Sequence, residues 1–531
     1  MPYYSFSDII STQSCKDPVA LCRRAIKQAL PIVRRLYFFC GGCCRKGVQK
    51  FIMSTKVASK HEIDMTEGKL LPKIIAFALP LLLTSVLQLL FNSADMIVVG
   101  KFVGDDAVGA VGSTGSLSAL IINLAIGFSG GAGVVLASAY GAKDRIYADK
   151  VLHTSMTISI ISGFLIGALG FFCARPLLTL MGTTETQIDY AITYIEIIFL
   201  GSPFNMVYNF GASMLRATGD TKRPLIYLTV SGVLNIGINI FTVAVLKMGV
   251  AGVAVATIFS QAVSSVMVVV ALLKSQGFVR LSFRKLRIDK RAFVEILRLG
   301  IPTAIQSSLF NITNVMLQSA VNGFGKDVVT GSAVSGQIEG YIYAINAAIS
   351  TTALTVVGQN YGKKDYERIR RTVNLCVVLV TAVSVVASGL AIAFHEPLCK
   401  LFTHADTPEQ TELIVGYAFT KMLVICSTYF LDGIMEVVTY SLRGIGYSIT
   451  SMLIVLVGVC VYRILWMFVV FPLYPEYWFL FLMYPISWLI TLSVAWIWLA
   501  VKIKKDGAKV HNMEVSVDEE HNDLLAARAN V

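Results

Sequence analysis

The sequence predicts an all-α integral membrane protein of twelve transmembrane helices, set out as two parallel six-helix lobes with both termini in the cytoplasm. Apolar composition, the distribution of positive charge among the loops, and an internal repeat lead to that fold. The chain has 531 residues, 55% of them hydrophobic and 15% charged, and its mean hydropathy is +0.68. Soluble domains carry about a quarter charged residues and confine apolar side chains to one face of each element. Here the apolar runs repeatedly reach the ~20 residues that cross a bilayer as a helix. They are continuous rather than alternating, which argues against a porin-type barrel. A soluble enzyme, a nucleic-acid-binding protein and a disordered scaffold are excluded.

The crossings run near 71–100, 108–139, 151–173, 189–212, 224–246 and 249–273, then 295–322, 329–359, 373–394, 412–440, 449–471 and 479–501. Loops after the second, fourth, sixth, eighth and tenth crossings carry twenty Lys and Arg, Arg216 and Arg443 among them. The opposite loops carry five: Lys101, Arg175, Lys247, Lys326 and Lys400. Positive loops stay in the cytoplasm, so this asymmetry places both termini there.

Landmarks of the first six crossings return in the second six. Tyr140-Gly141-Ala142-Lys143-Asp144 recurs as Tyr361-Gly362-Lys363-Lys364-Asp365, and Pro176 as Pro397, both at an offset of 221. Pro80 matches Pro302 at 222; Leu215-Arg216 with Gly219 matches Leu442-Arg443 with Gly446 at 227, as Tyr190-Ala191 matches Tyr417-Ala418. Six crossings is an even number, so the halves are parallel repeats related about the membrane normal. The division expected is an N-lobe at 65–275, a cytoplasmic linker at 276–293, a C-lobe at 294–505 and a cytoplasmic tail at 506–531.

Residues 1–64 match neither half. They hold eleven Lys and Arg against four Asp and Glu, and five of the ten cysteines, so much of the net charge of +12 sits in this one segment. A basic segment with Cys40, Cys43 and Cys44 together suits a lipid-surface or palmitoylated anchor. The plainer expectation is a dispensable extension, with Met53 or Met65 as an alternative start. The other cysteines scatter through or beside apolar runs and form no disulfide framework.

The chain has no Gly-x4-Gly-Lys-Ser/Thr loop for an ATP-driven pump and no His-Glu-x-x-His zinc motif. No aspartate-rich pair of the membrane prenyl transferase kind occurs either. An enzyme is therefore not expected, and secondary transport is the leading class.

Pro80, Gln88, Phe91-Asn92, Asp95 and Val99-Gly100, followed by Tyr-Gly-Ala-Lys-Asp, resemble the MATE (multidrug and toxic compound extrusion) transporters. The stretch from Leu215 through Arg223-Pro224 and the Leu442-Arg443-Gly444 sequence strengthen the likeness, which spans about residues 66–505. It implies a plasma-membrane antiporter that exchanges Na⁺ or H⁺ for bulky, often cationic organic compounds. The family shares a superfamily with lipid-linked oligosaccharide flippases, the alternative reading; a transport-inactive receptor or scaffold is a third. No cofactor is expected beyond the coupling ion and no structural metal. The partners expected are small organic substrates and membrane lipid, with no nucleic acid, and the protein is expected to act as a monomer.

Polar residues within the crossings are the candidate site. A charged side chain at mid-bilayer costs about 2.5–3.5 kcal/mol even on insertion scales, so it needs a partner or water. Gln88, Asn92 and Asp95 lie on one face of the first crossing, and Asn235 and Asn239 on one face of the fifth. One carboxylate and several amide oxygens suit Na⁺ or a proton. By resemblance, Gln88, Asp95, Asn235 and Asn239 fall where one MATE branch builds its N-lobe cation site, with Thr257 a further member. That branch usually has a second aspartate where Asn239 stands. Another branch places a cation-binding Glu at the position of Phe310. In the C-lobe, Asp432, Glu436 and Glu339 are candidates for coupling or substrate binding, against the alternative of pairing with Lys421 or Arg463.

Overall fold

The structure, a computed structural model, describes residues 62–103, 105–180, 185–403 and 407–529. Residues 1–61, with the basic cysteine cluster, lie outside the described residues. The first half contains α1 (Leu70–Phe102), α2 (Asp105–Gly141), α3 (Arg145–Leu180), α4 (Glu185–Leu200), α5 (Ser202–Ala217), α6 (Lys222–Ile240) and α7 (Gly249–Leu273). The second contains α8 (Lys290–Asn322), α9 (Lys326–Lys363), α10 (Tyr366–Ala393), α11 (His395–Phe402), α12 (Pro408–Cys426), α13 (Tyr429–Gly444), α14 (Ser448–Val455), α15 (Tyr462–Leu465), α16 (Tyr477–Phe481) and α17 (Met483–Ala529).

All twelve expected crossings map onto a helix or a run of helices. Among the described residues, nine helices are long and apolar enough to cross a membrane, and eleven when two bent pairs are each taken as one span. The remaining crossing is α8, whose 33 residues suffice in length. Gln306, Ser307, Ser308, Asn311 and Asn314 make it polar, so composition rather than length sets it apart. Large apolar side chains such as Phe164, Phe172, Val386 and Phe468 are exposed, as hydrocarbon solvent permits.

Two crossings expected to be single helices are bent. The α4–α5 pair turns by 47° at Gly201 and the α12–α13 pair by 46° at Ser427-Thr428. Residues 201 and 428 are 227 apart, the offset that relates Tyr190 to Tyr417, so the bend belongs to the repeat. The fifth crossing of each half is also irregular: α6 continues as a π-helical turn over Phe241–Val245, and α15 is flanked by π turns at Leu456–Val461 and Trp466–Val470.

The repeated Tyr-Gly-x-Lys-Asp sequence is a helix stop joined to a helix start. Lys143 and Lys364 are left-handed, with φ of 58° and 64°. Asp144 N donates to Ala139 O and Asp365 N to Asn360 O, each at 3.0 Å, which satisfies carbonyls that the ending helix leaves open. Each aspartate then caps the next helix: Asp144 Oδ1 accepts from Tyr147 N and Asp365 Oδ1 from Arg368 N, both at 3.0 Å. The glycines let the two copies touch. A Cβ at Gly141 would stand 1.7 Å from the Gln359 carbonyl oxygen, and one at Gly362 1.9 Å from that of Ser138. Here α2 runs along α8 and α9, joining the halves in a tight seam.

Residues 62–68 bind across the same end. Met65 N donates to Gln359 Oε1 at 3.0 Å, and Gln359 Nε2 donates to Ala217 O at 2.8 Å. Arg368 Nε donates to Met65 O at 3.1 Å and its Nη2 to Glu67 O and Gly68 O, each at 2.9 Å; Lys363 Nζ donates to Thr66 O at 2.9 Å. On the first half, Lys143 pairs with Asp64 at 2.6 Å, and Phe278 N donates to Glu62 Oε1 at 3.3 Å. The expected boundary at 64/65 therefore cuts through a bonded strap, because Glu62 and Asp64 already grip the bundle. The expected linker is likewise tied down: Ser282 N donates to His153 Nε2 at 3.0 Å, and Asp289 pairs with Lys150 at 3.0 Å.

Candidate functional site

The late part of α1 packs on α6 and brings Asp95 to Asn239. Asn239 Nδ2 donates to Asp95 Oδ1 at 2.5 Å and to Asn235 Oδ1 at 3.3 Å. Asn235 Nδ2 in turn donates to Thr257 Oγ1 on α7 at 3.5 Å. The i,i+4 spacing of the two asparagines makes this chain of amides, and the π turn begins two residues after Asn239. Thr242 in that turn donates to Gly252 O at 3.0 Å, which fixes the turn against α7. Asn239 is wholly buried, and its Oδ1 has no hydrogen-bond partner. An unsatisfied acceptor beside a carboxylate is what an oxygen-ligated cation requires.

A cavity of about 410 Å³ opens onto this cluster, lined in part by Gln88, Asn92, Asp95, Asn235 and Thr257. Five of the six expected N-lobe residues thus share one space, and the sixth, Asn239, lies behind it against Asp95. Also lining it are Asn205, Asn209 and Gln261, which the sequence reading passed over. Asn205 and Asn209 bear the same i,i+4 signal as Asn235 and Asn239; Asn209 Nδ2 donates to Asn205 Oδ1 at 3.1 Å.

The acidic residues of the second half divide. Glu339 pairs with Lys421 at 3.4 Å and accepts from Ser335 Oγ at 2.5 Å, while Lys421 Nζ also donates to Ser332 O at 3.1 Å. Here the pairing alternative describes the contacts. Asp432 and Glu436 are buried one helical turn apart on α13, and Asp432 Oδ2 and Glu436 Oε2 have no hydrogen-bond partner. Arg463 bears electrostatically on Asp432 from the irregular α14–α15 segment. Its guanidinium centre lies 4.0 Å from the Tyr484 ring and 5.7 Å from that of Phe310, and its Nε donates to Ser487 Oγ at 3.2 Å. Among the described residues, no group of three or more His, Cys, Asp or Glu could hold a metal ion.

A second cavity, about 230 Å³, adjoins the first through Ser85, Gln88, Tyr208 and Asn209. Its lining comes from both halves and includes Arg216 and Arg443. Those two arginines were expected in loops; they occupy the last turns of α5 and α13 instead.

Two related halves, a polar cavity between them and a half-buried carboxylate in the wall describe a polytopic membrane carrier. The MatE family model matches twice, over residues 80–241 and 302–469, one match in each half. The probable multidrug resistance protein YoeA of Bacillus subtilis is 29% identical over 379 residues, 70% of this chain and 80% of its own length. YpnP of the same organism, likewise named a probable multidrug resistance protein, is 30% identical over 312 residues, 58% of this chain and 68% of its own. Among solved structures, an outward-facing multidrug resistance MATE family transporter of the MOP superfamily superposes with a TM-score of 0.78 at 22% identity, covering 85% of this chain and 99% of the other. The chain belongs to the MatE family of transporters.

Proposed function

We propose that the protein is a secondary active multidrug efflux transporter, and not an enzyme, which exchanges Na⁺ or H⁺ for organic compounds by alternating access of its two halves. The observation that carries this reading is the Asp95–Asn239 pair, with its leftover acceptor, in the wall of the 410 Å³ cavity. The names of the relatives support the export of drugs. Asp95 and Asn239 Oδ1 would hold the coupling ion, with Asn235 and Thr257 fixing the orientation of the Asn239 amide. The strap end, beside the positive loops, faces the cytoplasm of a plasma-membrane protein whose termini lie on that side, and it is sealed in this conformation. A cation reaching Asp95 cancels its charge and changes which arrangement of α1, α6 and α7 is favoured. Cation and substrate must bind the two conformations unequally, since equal affinity shifts no population.

The test uses purified protein in liposomes loaded with a fluorescent organic cation, under a sodium gradient alone and then a proton gradient alone. Movement driven by one gradient and lost in Asp95→Asn, at unchanged expression, is expected. Wild-type coupling in that variant would remove Asp95 from the mechanism.

A further inference from the structure

The cavity between the halves has a charge pattern that cation exchange does not use. Arg216 and Arg443 occupy the same place in the repeat, and both line the 230 Å³ space, with no Asp or Glu in its lining. Arg443 is held in place: its Nη2 donates to Gln306 Oε1 on α8 at 2.7 Å, its Nε to Ser451 Oγ at 3.4 Å, and its guanidinium lies 4.7 Å from the Tyr440 ring. Glu436 bears on it electrostatically from behind, outside the lining. The Arg216 side chain has no hydrogen bond, ion pair or ring contact among the described residues, and its one titratable neighbour of consequence there is the Tyr208 phenol. An arginine that served only to complement a helix dipole would turn to the last carbonyls of its own helix. Arg443 reaches across to α8 instead, and the Arg216 guanidinium bonds to none of the described residues.

A charged guanidinium enclosed between packed helices is costly without a counter-charge. Arginine also offers parallel N–H donors that match a phosphate or carboxylate. Thr84, Ser213, Thr355 and Ser448 add hydroxyls around the pair, and Leu81, Leu299 and Leu354 add apolar wall. Gln88, which both cavities share, is seven residues from Asp95 on α1 and Leu81 is fourteen, so this space runs from about 10 to about 20 Å along the helix from that carboxylate.

We propose that Arg216 and Arg443 form a binding site for the anionic group, phosphate or carboxylate, of an amphiphilic organic ligand seated between the two halves. The ligand class thereby extends beyond organic cations to anionic and zwitterionic compounds. The arginines come from α5 and α13, not from the helices that open each half. Such a group reaches the site either on a soluble compound or on a lipid headgroup. Transport of the ligand rests on the function proposed above; binding does not.

The test measures binding of a matched pair, riboflavin and riboflavin 5′-phosphate, to the full chain in phosphatidylcholine nanodiscs by quenching of flavin fluorescence. The phosphate form should bind about tenfold more tightly, as a charge-assisted contact warrants. That preference should vanish in Arg216→Gln and be partly kept in Arg216→Lys, with the melting temperature of each variant confirming that it folds. Repeating the measurement with phosphatidylglycerol in the disc separates the sources: competition in the wild type but not in Arg216→Gln identifies a headgroup as occupant, and no competition a soluble anion. Lack of an arginine-dependent advantage for the phosphate form, whether both flavins bind or neither does, overturns the proposal. Because this is equilibrium binding, it fails or succeeds separately from the gradient-driven assay of Asp95→Asn.

Discussion

Asp64 shows how one side chain can hold the strap to the bundle. Burial alone would raise its pKa, but hydrogen bonds from Lys143 and Thr66 outweigh that and bring it down to about 2. A folded value below the ordinary ~3.9 means that the contact stabilises at all pH above about 4 and is lost as pH falls through the folded value. Asp64→Asn should therefore lower the melting temperature at neutral pH, by the equivalent of about 1 kcal/mol or less for a partly exposed pair. The gap from the wild type should be constant above pH ~5 and close under strongly acidic conditions, as a melting series in detergent would read; a gap that widens in acid would contradict the assignment. The cation cluster was legible at this scale because its members announce themselves: Asp95 is a carboxylate inside an apolar run, and Asn235 and Asn239 repeat at helical spacing. The strap was not. Met65, Thr66, Glu67 and Gly68 engage through their backbone carbonyls, and a carbonyl leaves no mark on residue identity.

At the scale of elements, the crossings and their order were readable from hydropathy, while their shapes were not. Proline is the usual sign of a sharp bend. Yet α1 and α8 carry Pro80 and Pro302 within continuous helices; of the two bends, the 47° one falls at Gly201 just before Pro203, and the 46° one at Ser427-Thr428 with no proline beside it. Arg216 and Arg443 were misplaced for a related reason, since each bent crossing continues past the apolar run that marked its end. The Tyr-Gly-x-Lys-Asp element makes a sharper prediction. Gly141→Ala drives a methyl group into the Gln359 backbone, where no flexible side chain can yield. Overpacking of this kind typically costs about 1–3 kcal/mol. A lowered melting temperature is expected, together with loosened packing of α2 on α9 seen as faster hydrogen exchange near 138–142 and 359–363. Wild-type stability in that variant would mean that the seam adjusts.

For the whole molecule, alternating access requires the α2–α9 seam to open at the strap end in the other conformation. A Cβ on Gly358 would lie 3.3 Å from that of Ala137, close to the ~3.8 Å typical of a disulfide. Oxidising an Ala137→Cys/Gly358→Cys pair should arrest exchange, and a reductant should restore it, with ligand binding retained throughout. Full transport by the cross-linked protein would show that the halves move elsewhere. Sequence could establish two related halves, because five landmarks repeat in order. It could not say which helices face each other, since that depends on glycines and small residues matched across some 220 positions.

The strap also imposes an order on the making of the protein. Met65 emerges from the ribosome 303 residues ahead of Arg368, the side chain that binds its carbonyl. At roughly 5–20 residues per second, that separation is on the order of 15–60 s of synthesis. Throughout that interval the strap end of the first half is unfastened from the second. The clasp is complete only when Arg368 has been made, and a chain truncated before residue 359 leaves the strap without its partners in the second half.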